Sequence, residues 1–248
     1  MKLYLVGGAV RRHMLGLSPT KDLDFAVEAP SFEAMKSTLA EMGLHVWQER
    51  PEFVTLRGRI PTVNLGSLVM DYDLNIHLGA TVDADFTLCR AEAMYHDQRH
   101  PSEVTPAPLW VDLSRRDFTI NAVAVSTEGE IIDPYSGQFD AAAHILRCVG
   151  HPEERFAEDP LRILRAVRFK VTENLTWAPS IAHALYRSDV VNGLRTLPVE
   201  RVHAELNRAL AHNWIDTMWA ILHTAPAVGE VLYDAFPTLW LKATTEKR

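Results

Sequence analysis

Cysteine is scarce in this chain, which has only Cys89 and Cys148 among its 248 residues. Two cysteines exclude a disulfide framework and a four-cysteine zinc site, and they fit a reducing compartment. Long apolar runs are absent as well, so no stretch of the sequence is long enough to span a bilayer. The apolar start at residues 3–6 meets two glycines too soon to be a secretory signal. We therefore expect a cytoplasmic protein that does not enter a membrane.

An excess of positive charge is also missing. The chain has 25 Lys and Arg against 32 Asp and Glu, which gives a formal net charge of −7. This balance excludes a protein that coats nucleic acid by charge alone, so any nucleic-acid site has to be local. Apolar residues make up 47% of the chain and charged residues 23%, which argues against disordered and fibrous classes.

The pattern of predicted elements changes near residue 150. Before it, short apolar runs predict strands at residues 3–6, 24–27, 53–56, 86–89, 120–126 and 131–132, and helices at 9–17 and 31–42. Ser31 is the expected N-cap of the second helix and Gly43 its stop. Behind residue 150 only helices are predicted, at 159–169, 178–187, 199–210 and 214–222. The fold class is α+β: a mixed-sheet head at 1–150, then an all-α neck at 151–210 and body at 211–248.

Two glycines stand between the first strand and the first helix. Gly7 and Gly8 let the backbone approach a ligand closely, and free N–H groups at a helix start attract phosphate. Arg11 follows one turn into the helix, within reach of a phosphate. Taken alone, two glycines indicate a tight strand-to-helix turn at least as well as a triphosphate site.

Two aspartates at the start of the next strand favour the triphosphate site over a simple turn. Asp22 and Asp24 lie on the same strand face, where their charges repel unless a cation lies between them. Mg²⁺ takes oxygen ligands and shares them with substrate phosphates, so the pair beside a glycine turn fits two-metal nucleotidyl transfer. The alternative is a solvated strand edge. A second such pair, Asp71 and Asp73, has no glycine turn nearby and is interpreted as a surface strand or loop feature.

Five motifs in a fixed order carry a family resemblance. They are GGAVR with DLD at residues 7–11 and 22–24, RRDFTINA at 115–122, DPYSGQFD at 133–140, RFAEDPLRILRAVRF at 155–169 and LPVERVHAEL at 197–206. Together they resemble the class II tRNA nucleotidyltransferases and bacterial poly(A) polymerases of the polymerase-β-like superfamily. The resemblance spans most of the chain, and five ordered motifs make it specific.

The resemblance implies a role for each matching residue. Asp22 and Asp24 would bind two Mg²⁺ ions, and Asp85 is expected near them as a third carboxylate. Other residues would hold the nucleotide or order the loops around it: Gly8, Arg11, Arg116, Asp117, Asn121, Glu158, Asp159, Arg162 and Arg165. Asp133 to Gly137 would form a structural turn under the site.

Asp159 and Arg162 belong to the EDxxR element, which in the family presents a protein edge to cytosine or adenine. An arginine offers a planar set of donors and a carboxylate offers acceptors, so such a pair can imitate a base edge. Asp159 before Pro160 is equally well placed as the N-cap of a helix. Without the resemblance, both roles of Asp159 stay open.

Two departures from the family stand out. Arg12 occupies the position after the GGxVR arginine where relatives usually carry Asp. The chain is also short, so we expect a compact form with a truncated body and no tail. Residues 50–80 match the family poorly and lack the G-[RK]-[RK]-F element associated with bacterial poly(A) polymerases.

These observations predict an enzyme that adds C, A or CCA to the 3′ end of tRNA without a nucleic-acid template. It would use CTP and ATP and bind the tRNA acceptor end, and no protein partner is deducible. A poly(A) polymerase is the rival enzyme. A nucleotide-binding regulator that has lost RNA engagement is the rival without activity, although a pure binder has little need for two metal carboxylates.

Overall fold

The computed structural model of the chain describes residues 1–18, 23–65, 81–95 and 101–236. These residues form two compact units, Met1–Ala143 and His144–Arg248. The functional division at residues 150 and 210 stays a prediction. Asp22 and the second aspartate pair, Asp71 and Asp73, lie outside the described residues.

A seven-stranded mixed sheet forms the centre of the first unit. Its strands are β1 (Lys2–Val6), β2 (Leu23–Glu28), β3 (His45–Arg50), β4 (Thr55–Pro61), β5 (Thr81–Leu88), β8 (Ala124–Ser126) and β9 (Ile131–Ile132). Two further strands, β6 (Arg90–Tyr95) and β7 (Pro101–Pro106), pair with each other. The order in the sheet is β3-β4-β5-β2-β1-β8-β9. Among the described strands of this sheet, only β2 and β5 pair in parallel, and β6 and β7 form an antiparallel pair outside it.

Strand β2 shows how this sheet separates a core face from a polar face. Leu23, Phe25 and Val27 alternate along the strand and are almost completely buried. Phe25 stacks on Phe86 of β5 with ring centroids 5.2 Å apart and nearly parallel planes. Residues between them along β2 point to the opposite face because side chains alternate in a strand. The stacked rings therefore fix the register of β2 against β5 from the core side.

Four helices belong to the first unit: α1 (Gly8–Met14), α2 (Phe32–Glu41), α3 (Leu109–Ser114) and α4 (Gly137–Ala142). The predicted cap of α2 is confirmed, because the Ser31 hydroxyl accepts a hydrogen bond from the Ala34 backbone at 3.1 Å. Gly43 ends this helix with a φ of 79°, a conformation that suits glycine. Short 3₁₀ turns occur at Pro51–Phe53, Thr62–Leu65 and Thr119–Asn121.

The second unit is built mainly from helices. They are α5 (Pro152–Glu158), α6 (Leu161–Thr172), α7 (Pro179–Leu185), α8 (Ser188–Val191), α9 (Val199–His212), α10 (Trp214–Trp219) and α11 (Pro226–Ala235), with a 3₁₀ turn at Asn192–Thr196 and a π turn at Ala220–Thr224. The predicted fold class is confirmed. One correction concerns the region interpreted as purely helical: β10 (Ile145–Leu146) pairs in parallel with β11 (Thr176–Trp177). Two residues are too few to show the alternation that identifies a strand.

Helix α9 is the longest helix of the described ranges, with 14 residues. It buries Val202, Leu206 and Ala209, whose spacing places them on one side of the helix. The opposite side carries polar residues, as in a helix that packs on a protein core. In the part of the chain that the structure describes, no helix has the length and apolar composition needed to cross a membrane.

Candidate active site

Two carboxylates come together on the polar face of the sheet. Asp24 of β2 and Asp85 of β5 are direct partners in the parallel register. Adjacent strands are about 4.8 Å apart, so both side chains leave the same face at neighbouring positions. Each carboxylate is partly exposed. The structure therefore brings together two of the three carboxylates predicted from the sequence.

Gly7 lies against this carboxylate pair. A Cβ atom added at Gly7 would be 3.1 Å from Oδ2 of Asp24, and the residue has a φ of 69°. Both observations favour glycine, because other residues rarely adopt this φ and a side chain would crowd the carboxylate. The strand-to-helix turn thus leaves space at Asp24 that a methyl group would fill.

This arrangement fits a divalent cation. Carboxylate oxygens are the ligands that Mg²⁺ prefers, and glycine at position 7 keeps a side chain away from Asp24 Oδ2. Within the described residues, no group of three or more His, Cys, Asp or Glu side chains is close enough to hold a metal. Asp22, which was predicted to bind metal together with Asp24, lies outside that part of the chain. The described residues therefore supply two candidate ligands, Asp24 and Asp85.

Asp85 also has a partner that the sequence analysis missed. The guanidinium of Arg57 on β4 donates from Nε to Oδ1 of Asp85 over 2.5 Å. Arg57 and Asp85 are register partners of β4 and β5, so the ion pair lies on the same face as Asp24. Their separation in sequence gives no local signal for this contact.

A buried hydrogen-bond chain connects α1 to the segment at residues 115–122. Nη1 of Arg11 donates to the side-chain oxygen of Asn121 over 2.7 Å, and Nδ2 of Asn121 donates to Asp117 over 2.9 Å. The same Asp117 oxygen accepts the backbone N–H of Phe118 at 2.8 Å. Arg11, Asp117 and Asn121 are all largely buried. Three residues predicted to serve the nucleotide pocket are therefore held in one rigid network.

Arg116 is held by a buried aspartate. Nη2 of Arg116 donates to Asp112 over 3.1 Å, and its Nη1 donates to the backbone oxygen of Asn121 over 3.1 Å. Arg115 also pairs with Asp112, at 2.6 Å. Burial alone would raise the pKa of Asp112, but the two guanidiniums outweigh it and hold the pKa below its usual range. Asp112 was missed, although its position three and four residues before the two arginines is a helix-pairing signal.

The turn at residues 133–140 packs against the segment at residues 115–122 and supports it. The Asp133 carboxylate accepts backbone N–H groups of Gly137 at 2.7 Å and Gln138 at 2.9 Å. A Cβ atom at Gly137 would approach the Thr119 carbonyl oxygen to 2.3 Å, so this contact requires glycine. The Thr119 hydroxyl donates to buried Asp140 over 2.7 Å. These residues act as structural supports, in the way expected for this turn.

Arg12, which departs from the family pattern, contacts the loop after α1. Its Nε donates to the backbone oxygen of Ser18 over 2.6 Å. Residue 18 is the last described residue before the segment that contains Asp22. The arginine thus binds a backbone carbonyl, a contact that the carboxylate usual at this position cannot make because it only accepts hydrogen bonds.

In the second unit, Glu158 and Arg162 form an ion pair across the junction of α5 and α6. Nη1 of Arg162 donates to Oε2 of Glu158 over 2.8 Å and to the backbone oxygen of Arg155 over 3.2 Å. Arg155 pairs with the same carboxylate at 2.5 Å. The side chain of Arg162 is only 11% exposed, so its guanidinium plane is fixed by these partners.

Asp159 performs a capping role at this junction. Its Oδ1 accepts the backbone N–H of Leu161 at 3.1 Å, and Arg201 of α9 approaches the same oxygen to 3.8 Å. The sequence predicts Asp159 directly before the helix, but in the structure Pro160 directly precedes α6 and Asp159 lies one residue farther out. Asp159 therefore binds the first backbone N–H of α6, as the capping alternative expects, although Pro160 occupies the N-cap position; base selection by Asp159 stays a prediction.

Arg165 and Arg168 flank the buried ring of Phe169 on α6. Cζ of Arg165 lies 5.4 Å from the ring centroid and that of Arg168 lies 4.1 Å from it. Arg168 also donates to buried Glu205 of α9 over 2.6 Å. Burial lowers the pKa of Arg168 although Glu205 counteracts this. The ion pair between Arg168 and Glu205 is therefore largely buried.

Known proteins resemble this chain in sequence and in fold. Among curated proteins, the chain is 38% identical over 210 residues to a CCA-adding enzyme of Lacticaseibacillus paracasei, which covers 84% of this chain and 46% of that protein. A solved tRNA nucleotidyltransferase, complexed with a primer tRNA and an incoming ATP analog, superposes with a TM-score of 0.69 at 30% identity. That match covers 95% of this chain and 59% of the other.

A second solved structure is the Bacillus stearothermophilus CCA-adding enzyme in complex with CTP, with a TM-score of 0.68 and 27% identity. It covers 98% of this chain and 55% of the other. The chain spans about half the length of the curated relatives it matches. A family profile described as the Poly A polymerase head domain matches residues 3–147, which include every site residue of the first unit. The chain therefore belongs to the Poly A polymerase head domain family, and its relatives include CCA-adding enzymes.

Proposed function

We propose that this chain catalyses nucleotidyl transfer to the 3′ end of tRNA, adding C, A or both from CTP and ATP. The observation that carries the proposal is the in-register pair Asp24 and Asp85, with Gly7 leaving space beside Asp24. The similarity to CCA-adding enzymes supports the substrate class, and the solved relatives with tRNA, an ATP analog and CTP support the same assignment.

The reaction forms a phosphodiester bond and breaks a phosphoanhydride bond. The 3′ oxygen of the RNA forms a bond to the α-phosphorus of the nucleotide, and the bond from this phosphorus to the bridging oxygen of the β-phosphate breaks. Pyrophosphate leaves, and the hydroxyl proton passes to solvent. Asp24 and Asp85 would orient the reacting groups on the polar face of the sheet, and Arg11 would face the phosphates with Gly8.

Asp22 and Asp24 would hold two Mg²⁺ ions, with Asp85 as the third carboxylate. When bound, such ions lower the pKa of the attacking hydroxyl and neutralise charge on the phosphates. Arg11 is already oriented by Asn121, and Arg116 by Asp112, so both guanidiniums are preorganised before a nucleotide binds. A fixed donor loses little entropy on binding, which favours tight phosphate recognition.

In the second unit, Asp159 and Arg162 would select the base. Arg162 is fixed by Glu158, and a guanidinium carries donors that suit the acceptor edge of a base. Asp159 uses Oδ1 in its cap contact with Leu161, which leaves Oδ2 as a possible acceptor for an exocyclic amine of cytosine or adenine. Arg165 would complete the pocket.

The direct test is incorporation of labelled CTP and ATP into a tRNA from which the CCA end has been removed. Addition of one to three nucleotides, followed by a stop, supports the proposal. A long tail made from ATP alone would identify a poly(A) polymerase, the rival that the family description itself suggests. Binding of nucleotide without any incorporation would support the regulator.

The two roles of Asp159 are separable with two substitutions. Asp159→Ala should lower the free energy of unfolding by roughly 0.5–2 kcal/mol, because it removes the cap of α6, and should also blur selection among the four nucleotides. Asp159→Asn keeps a capping oxygen, so its stability should stay close to that of the parent. Its amide nevertheless offers a base both donors and an acceptor, so selection should still change.

Thermal unfolding and single-nucleotide incorporation with each of the four nucleotides measure the two effects separately. If Asp159→Asn selects CTP and ATP as the parent does, and Asp159→Ala loses stability only, then the cap is the whole role of Asp159.

A further inference from the structure

A row of charged side chains crosses three neighbouring strands of the sheet. Asp24 on β2, Asp85 on β5 and Arg57 on β4 are successive register partners, and so they share one face. Arg57 donates to Oδ1 of Asp85 over 2.5 Å. A guanidinium therefore holds one oxygen of a carboxylate that, on the proposed function, serves the metal site.

An arginine and a divalent cation compete for such an oxygen in two ways. A charge-assisted hydrogen bond occupies the lone pair that a metal ion would use, and it offsets the negative charge that attracts the ion. Mg²⁺ also demands a nearly ideal octahedral set of oxygens, so it tolerates a displaced ligand poorly. The Arg57 side chain is 43% exposed, which leaves room for it to move away when a cation arrives.

We propose that Arg57 acts as an internal competitor that sets the affinity of this site for divalent cations. This inference rests on the proposed function, because it takes Asp24 and Asp85 to be metal ligands. While Arg57 is bound to Asp85, the site offers fewer oxygens to a cation and carries less negative charge. Arg57 is thus a residue that tunes metal binding without contacting the metal.

The same two strands provide a matched control. Arg59 of β4 pairs with Asp83 of β5, at 2.6 and 3.2 Å, two residues along each strand and on the same face. Both side chains are more than half exposed. Loss of Arg59 removes the same charge from the same face, but it leaves the Asp85 oxygen bound to Arg57. A difference between the two substitutions therefore measures the specific contact and not the general charge.

The experiment measures Mn²⁺ binding to the whole chain without RNA or nucleotide, from the loss of the free-ion electron paramagnetic resonance signal. Five proteins are compared: the parent, Arg57→Met, Arg59→Met, Asp24→Asn and the double variant with Arg57→Met and Asp24→Asn. Arg57→Met should bind Mn²⁺ about three- to ten-fold more tightly, the range expected when one unit charge is removed within several ångströms through a hydrated path. Arg59→Met should stay within about two-fold of the parent, since its charge is farther away and screened.

The outcomes separate this inference from the proposed function. If the parent binds Mn²⁺ in a way that Asp24→Asn abolishes, but Arg57→Met binds no more tightly than the parent or Arg59→Met, the inference is wrong and the metal site stands. Weaker binding by Arg57→Met would show that Arg57 orients Asp85 for the metal, which also overturns it. If Asp24→Asn leaves Mn²⁺ binding unchanged in both the parent and the Arg57→Met background, the metal assignment itself fails, and the inference fails with it.

Discussion

Asp24→Asn should lower the rate of nucleotide transfer by roughly 10³-fold or more while the protein stays folded. The substitution replaces a charged oxygen ligand beside Gly7 with a neutral amide of the same shape. Asp24 faces Asp85 in register, and like charges at such positions repel each other. Removing one charge should therefore leave the stability unchanged or raise it by up to ~1 kcal/mol.

Single-turnover incorporation and thermal unfolding measure these two effects on the same preparation. Asp83→Asn is the matched control, because Asp83 lies on the same strand as Asp85 but pairs with exposed Arg59. Its activity should stay within about two-fold of the parent, as expected for an exposed ion pair of low energy. Transfer by Asp24→Asn at a rate close to that of the parent would remove Asp24 from the catalytic assignment.

Of the substitutions proposed for this protein, Asp112→Ala should lower the free energy of unfolding most. Asp112 is 2% exposed and pairs with both Arg115 and Arg116. Removing one partner of a buried ion pair leaves uncompensated charge, which costs about 3 kcal/mol or more. For a chain of this size, that loss corresponds to a decrease of roughly 6–12 °C in the unfolding temperature.

The pH dependence of stability provides a second readout for Asp112. Its pKa is lowered in the folded state, so the contribution is fully present above the unfolded value near 4 and is lost as the pH falls through the folded pKa. Asp112→Ala should lack this part of the acid dependence. Asp83→Ala, which breaks an exposed ion pair, should change the free energy of unfolding by less than about 1 kcal/mol. Equal losses in the two variants would contradict a special role for Asp112.

Elements with local signals were predictable from the sequence. The cap Ser31, the glycine stop at Gly43 and the strand predicted at residues 24–27 are each encoded within a few residues, and the structure agrees with all three. Asp112 belongs to the same class in principle, because a carboxylate three and four residues before two arginines indicates a helical ion pair. Its burial, which gives the contact its energy, depends on tertiary packing and has no such signal.

Contacts between distant strands were not predictable in the same way. Arg57 meets Asp85 only because β4 and β5 pair in one particular register, and shifting the pairing by one residue would place the two side chains on opposite faces. Proximity of Asp85 to Asp24 was expected from the family resemblance, whereas the parallel pairing that produces it follows from the sheet order. The strands β10 and β11 were missed because two residues carry no periodicity.

The one parallel pairing of the sheet has a consequence for how the protein folds. Asp24 and Asp85 are roughly sixty residues apart in sequence, so bringing them together requires closing a long loop before any contact compensates its entropy. Hairpins such as β6–β7 form quickly from local contacts, whereas parallel crossovers form late. During synthesis, the carboxylate pair cannot assemble until the ribosome has produced β5. Partly folded chains would therefore carry no assembled carboxylate pair.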